Sequence, residues 1–288
     1  MHIRQTKMKK LLVSMVLTAL SVVSWGQAQI NTKKVKISDF TQKITKVVLT
    51  GNTFVDVNFK DEIAARWRIS PYEFCTMQEF ESLKGSDQYY FLLNTKGQFK
   101  DEASPGLMFL TLVKGGEGAS KGISSMLEVV SLPYAAAEDP SGREFVFLPA
   151  MLEIVQTYTL DSMEKDINAY GGLTNYSKNI ARAKDMTIVF AEEDLGGLIT
   201  PEIREKCFDE GIICTDVNTA DTYMVDNAPN TLVSYMVTPT VPESGSYCYK
   251  MLIDAENYQL YYFHRHRIGK KLGAGFLPED IRRITERR

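Results

Sequence analysis

Beyond Gln29 this 288-residue chain holds two histidines, His264 and His266, and they stand two apart. On a β-strand that spacing puts both imidazoles on one face, where two ring nitrogens can share a metal ion. Glu192, Glu193 and Asp194 offer a third ligand, and a metal-bound water would then perform a hydrolysis. A Ser/His/Asp triad would need one of the same histidines, and no G-x-S-x-G elbow is present. Set against the metal is a plain alternative: His264-Arg265-His266-Arg267 as an exposed strand end leading into a basic tail.

Other chemistry-bearing groups fall short of a template. Gly115-Gly116-Glu117-Gly118-Ala119-Ser120-Lys121-Gly122 is glycine-rich, but Lys121 is followed by Gly122, so the run lacks the G-K-[ST] ending of a P-loop. It reads as a flexible linker between strands. Asp61-Glu62 and Glu192-Glu193 are adjacent carboxylates whose side chains diverge, so neither pair is a ready acid/base dyad. Cys75, Cys207, Cys214 and Cys248 show no C-x-x-C spacing, which leaves neither a zinc ribbon nor a redox motif and leaves their disulfide state open. No cofactor is expected from these motifs.

The amino terminus supplies a location. Arg4, Lys7, Lys9 and Lys10 precede the apolar run Leu11–Val23, and Gly26-Gln27-Ala28 has the small residues that a signal peptidase reads. Cleavage after Ala28 is expected, with a periplasmic or secreted product. The apolar run is too short to span a bilayer, which takes roughly 20 residues, and no later segment is apolar for long enough.

Removing the leader's four bases from 33 leaves 29 against 36 acids, a balance that disfavours nucleic acid and anionic membranes as partners. From Arg265 to Arg288 eight bases meet three acids. Arg265, Arg267, Lys270, Lys271, Arg282 and Arg283 are therefore the candidate partner-binding residues, either folded back on the acidic body or turned toward an acidic partner.

The elements that must position these groups come from periodicity. Lys46–Thr50, a helix over Asn58–Trp67, Pro71–Cys75, a helix over Met77–Lys84, Tyr89–Leu93, Leu107–Val113 and Met126–Leu132 make up the first half. The second repeats the order with Met186–Ala191, a helix capped by Thr200 and opened by Pro201, Ile212–Thr215, a helix near Thr219–Asp226, Thr231–Val237, and a hairpin of Tyr247–Asp254 with Gln259–His266. Glu62-Ile63 stands before Cys75-Thr76 much as Glu202-Ile203 stands before Cys214-Thr215, and Phe147-Leu148-Pro149 matches Phe276-Leu277-Pro278.

The expected fold is thus α/β (α+β): two similar βαβαβ(ββ) halves with mixed sheets, joined by a long helix that follows Pro149. The divisions are a signal peptide over 1–28, a first half over 29–142, a connecting helix over 143–172 and a second half over 173–288. Aromatic side chains are plentiful in the strands, and some are expected to line a cleft between the halves.

The processing site Gly26-Gln27-Ala28-Gln29 and the segment Trp67-Arg68-Ile69-Ser70-Pro71-Tyr72-Glu73-Phe74 resemble uncharacterised exported proteins of Bacteroides-type bacteria. The β-α-β-α-β order is also similar to the amino-terminal domain of the periplasmic translocation protein TolB. Neither resemblance implies an activity. The expectation is a non-enzymatic binding or scaffold component of the cell envelope, with another envelope protein or a small ligand as partner. The alternative is a metal-dependent hydrolase using His264 and His266.

Overall fold

The computed structural model describes residues 33–99, 102, 104–165, 169 and 171–288. The expected leader, residues 1–28, lies outside them. In the first half β1 (Ile44–Val48) passes through α1 (Thr53–Arg66) to β2 (Tyr72–Cys75), and through α2 (Met77–Leu83) to β3 (Tyr89–Gly97). Strands β4 (Leu107–Lys114) and β5 (Leu127–Ala136) follow, giving the order β2-β1-β3-β4-β5. β1 runs parallel to β2 and β3, whereas β4 and β5 add antiparallel pairs. The helices supply the crossovers that parallel neighbours require.

After the connecting helix α3 (Arg143–Glu164), the second half repeats the pattern. β6 (Thr187–Ala191), α4 (Pro201–Cys207), β7 (Ile212–Thr215), α5 (Val217–Val225) and β8 (Thr231–Val237) match the first five elements. β9 (Tyr247–Asp254) and β10 (Leu260–Arg267) complete the order β7-β6-β8-β9-β10, and α6 (Pro278–Arg287) ends the chain. The two sheets share one topology, strand for strand and direction for direction. Among the described residues no helix is long and apolar enough to cross a membrane.

Capping fixes where the helices start. The α1 helix begins five residues before the predicted Asn58, because the Asn52 side chain accepts bonds from the Phe54 and Val55 amides. Its first turn turns Phe54 and Val57 to solvent, so these apolar residues stand off the buried stripe of Phe59 and Ile63. Thr76 and Glu79 form a reciprocal capping box on α2, and Asp216 caps α5.

These caps also set the register between the halves. Val48 pairs with Cys75 just before the Thr76 cap, and Ala191 pairs with Thr215 just before the Asp216 cap. Cys75 therefore corresponds to Thr215, one residue away from the Cys-Thr match seen in the sequence. The Phe-Leu-Pro match is also out of step: Pro278 opens α6, but Pro149 lies inside α3, which starts at Arg143.

The α3 helix belongs to both cores. Phe147, Leu148, Met151, Ile154, Val155 and Tyr158 are buried in one cluster with Leu110, Leu112 and Leu132 of the first sheet and Val233, Tyr235 and Met251 of the second. Phe147 stacks on Tyr235 with ring centroids 4.1 Å apart, and the Tyr235 hydroxyl donates to the Tyr134 carbonyl at 2.7 Å. The glycine-rich segment after β4 is not the expected flexible linker. It forms 3-10 turns over Glu117–Lys121 and Ile123–Ser125 and buries Ala119. Gly115 is required there because a Cβ would stand 2.2 Å from the Ser86 carbonyl oxygen.

Candidate functional site

A cleft of about 820 Å³ opens over the face of the first sheet that α3 leaves uncovered. Leu93, Thr95, Phe109, Thr111, Val113 and Ser131 form its floor. Met77, Ile123 and Met126 stand on one side, and Tyr249, Phe263 and Arg265 of the second half close the other. A cleft of this size falls within the usual range for small-molecule sites, roughly 300–1,000 Å³.

Strand alternation places three hydroxyls in a row across β3, β4 and β5. Thr95 Oγ1 lies 2.8 Å from Thr111 Oγ1, which lies 2.9 Å from Ser131 Oγ. Thr111 is buried at the centre, with the other two half-buried at the ends. A hydroxyl carries one proton and two lone pairs, so a row of three leaves one proton for a further acceptor and lone pairs for further donors. The Phe109 ring lies against the backbone of Gly97, where a Cβ would come within 2.5 Å of it.

Register identifies what is unusual here. Thr95, Thr111 and Ser131 are equivalent to Val237, Met251 and Phe263 of the second sheet. Those three side chains are 2 %, 0 % and 7 % exposed, buried in the cluster that contains α3. The first half thus carries hydroxyls on the face that the second half uses as core.

A second polar cluster sits where α3 meets the second half. Arg143 donates to both Asp221 oxygens at 3.0 Å and to Asp194 at 2.8 Å, and also to the Ser234 carbonyl. Ser234 Oγ donates to Asp194 at 2.6 Å. Burial pushes both carboxyls upward in pKa despite Arg143. With every carboxylate oxygen committed inside the fold, the cluster works as a latch between α3 and the second half.

The histidines lie on the opposite face of the second sheet, beneath α6. His264 Nδ1 lies 2.8 Å from Asp280, and its Nε2 lies 3.0 Å from Arg283 Nη1. Asp280 also accepts from Lys250 at 2.5 Å, Tyr262 at 2.7 Å and the Leu277 amide at 2.8 Å. Burial alone would raise its pKa, but the bonds from His264 and Lys250 hold it well below the usual carboxylate range. His266 Nε2 meets the Gly273 carbonyl at 2.8 Å, and burial lowers its pKa.

His264 and His266 thus share a face, as their spacing predicts, but both rings are engaged by the fold. Asp194 is bound to Arg143 and Glu192 to Arg204. Among the described residues no group of three His, Cys, Asp or Glu side chains is placed to hold a metal.

The candidate partner-binding residues divide between surfaces. Arg265 reaches the cleft, Arg267 donates to the Gly245 carbonyl, and Arg283 pairs with Glu279. Lys270, Lys271 and Arg282 are exposed elsewhere. All four cysteines are free thiols, with Cys75, Cys214 and Cys248 pushed up to about 11 by burial.

The hydroxyl row is the feature that sequence reasoning missed. Its signal is one Ser or Thr per strand, in YYFLLNT, LMFLTLV and VVSLPY, whose alignment becomes visible only through the pairing of the strands. No family model matches the chain, and no curated protein or solved structure matches it.

Proposed function

We propose that this chain is an exported binding protein that holds a small polar ligand in the cleft over Thr95, Thr111 and Ser131. The observation that carries the reading is the replacement of Val237, Met251 and Phe263 by three linked hydroxyls on the equivalent, uncovered sheet face. Apolar residues suit a face that packs against a helix, whereas hydroxyls suit one that meets polar groups. Export is supported by the basic run, apolar run and small-residue site at the amino terminus. A binding role is favoured over catalysis because the buried carboxylates Asp194, Asp221 and Asp280 lie in closed internal networks with Arg143 and Lys250, away from the cleft.

A thermal-shift screen of the chain from Gln29 onward against a library of polar metabolites tests this. Ligands should raise the melting temperature of the native chain and leave a folded Ser131→Tyr variant, with its cleft filled, unaffected. Ligands that stabilise both proteins equally would refute the cleft as the site. Conversion of the bound compound into a product would refute a purely binding role.

A further inference from the structure

The cleft differs in charge from the rest of the molecule. The chain as a whole carries 33 bases and 36 acids, but the charged side chains lining the cleft are Lys33, Lys96, Glu128 and Arg265. Three of these four are basic. Lys96 pairs with Glu138 outside the cleft, and Lys33 has its amine 5.5 Å from the centre of the Tyr158 ring.

Arg265 is exposed, and no carboxylate pairs with it among the described residues. Its guanidinium lies 5.1 Å from the centre of the Tyr247 ring, and Nη1 donates to the Tyr249 hydroxyl at 3.3 Å. Ring and hydroxyl hold the planar fork in place while leaving other N–H groups for a ligand. Such a fork matches a carboxylate geometrically.

A continuous path links this cation to the hydroxyl row. Thr95 stands opposite Phe109 in the first sheet, and Arg265 stands opposite Tyr249 in the second. The Phe109 and Tyr249 rings bridge the sheets with centroids 5.8 Å apart. Directly paired residues have Cβ atoms about 5 Å apart, so the path from the row through both rings to Arg265 is about 16 Å long. An occupant reaching both offers polar groups to the row, extends over two to three ring lengths, and is anionic at the Arg265 end.

From this, and resting on the binding role proposed above, we infer that the cleft takes an acidic saccharide, either a free disaccharide or the end of a longer glycan. Its carboxylate meets Arg265, its body crosses the junction of Phe109 and Tyr249, and its hydroxyls meet the row of Thr95, Thr111 and Ser131.

Isothermal titration of the chain from Gln29 onward with uronate-terminated disaccharides, each beside its neutral parent, tests the assignment. The acidic member should bind at least tenfold more tightly than its parent. Arg265→Gln should remove that difference, and Thr111→Val should weaken both members by a similar factor. Equal binding of acid and parent, unchanged in Arg265→Gln, would overturn the role of Arg265. Failure of every saccharide would overturn the ligand class. The binding role itself then stands or falls on the metabolite screen with Ser131→Tyr, so the two failures are distinguishable. A free disaccharide as ligand would bind as tightly as a tetrasaccharide with the same terminus, whereas a glycan end would favour the longer compound.

Discussion

The β3–β4–β5 face of the first half and the β8–β9–β10 face of the second have one topology and one register but different surroundings. In the second half Val237, Met251 and Phe263 are buried in the core that includes α3. In the first half Thr95, Thr111 and Ser131 line an open cleft. A repeated fold brings repeated faces, and α3 can cover only one of them. The face that α3 leaves is packed by Phe80, Ala119 and Met126 only over Phe91, Leu93 and Val113, and beyond them, where no helix lies over the sheet, residue types diverge because they no longer have to be apolar.

The latch that holds this arrangement gives the largest expected effect. Arg143→Met would leave Asp194 and Asp221 without their cation, and loss of one partner from a buried ion pair costs about 3–5 kcal/mol. Urea unfolding should show that loss, and a change below about 1 kcal/mol would mean that the docking of α3 on the second half does not depend on the latch.

Exchanging residues between the faces tests the comparison directly. Met251→Thr puts a hydroxyl and a void into the covered face and should cost about 2–4 kcal/mol. Equal costs for Met251→Thr and Thr111→Val would remove the distinction between the faces.

Acid should weaken the second half through Asp280. Its carboxyl titrates below the unfolded value, near ~3.9, so the unfolded chain binds the proton first as pH falls. The contribution, of the order of 2–3 kcal/mol for such a carboxylate, is complete above about pH 5 and is lost as pH falls toward the native value. Asp280→Asn should flatten that part of the stability–pH curve, and an unchanged curve would show that other carboxylates govern it.

Thr111→Val should have the smallest effect, about 1 kcal/mol or less, because it removes hydroxyl contacts without leaving a cavity.

Much of the architecture was legible in the chain because its signals are local. Strand runs such as MTIVFA and TLVSYMV, the Thr200-Pro201 helix start and the hairpin at Ala255-Glu256-Asn257 depend on near neighbours in sequence. The start of α1 was misplaced because its first turn is solvent-facing and is fixed by Asn52 rather than by an apolar stripe. The beginning of α3 was hidden by Pro149, which reads as a helix start but sits within the helix. His264 and His266 were placed on one strand face, as found, but Asp280 and Arg283 come from a helix whose docking the sequence does not disclose. The cleft needed still more: the pairing of three strands and the approach of the second half.

Because α3 joins one surface of the first half to a different surface of the second, the halves relate as successive members of a row, not as mates across a two-fold axis. Contacts of that heterologous kind propagate without closing unless something ends them. Another step would lay the outer side of α6 onto the open face of a second molecule. The two surfaces concerned suit it poorly. The α6 helix has 10 residues where α3 has 22, and it turns Arg282, Glu286 and Arg287 to solvent. The face it would have to meet carries the hydroxyl row of Thr95, Thr111 and Ser131 among its apolar residues.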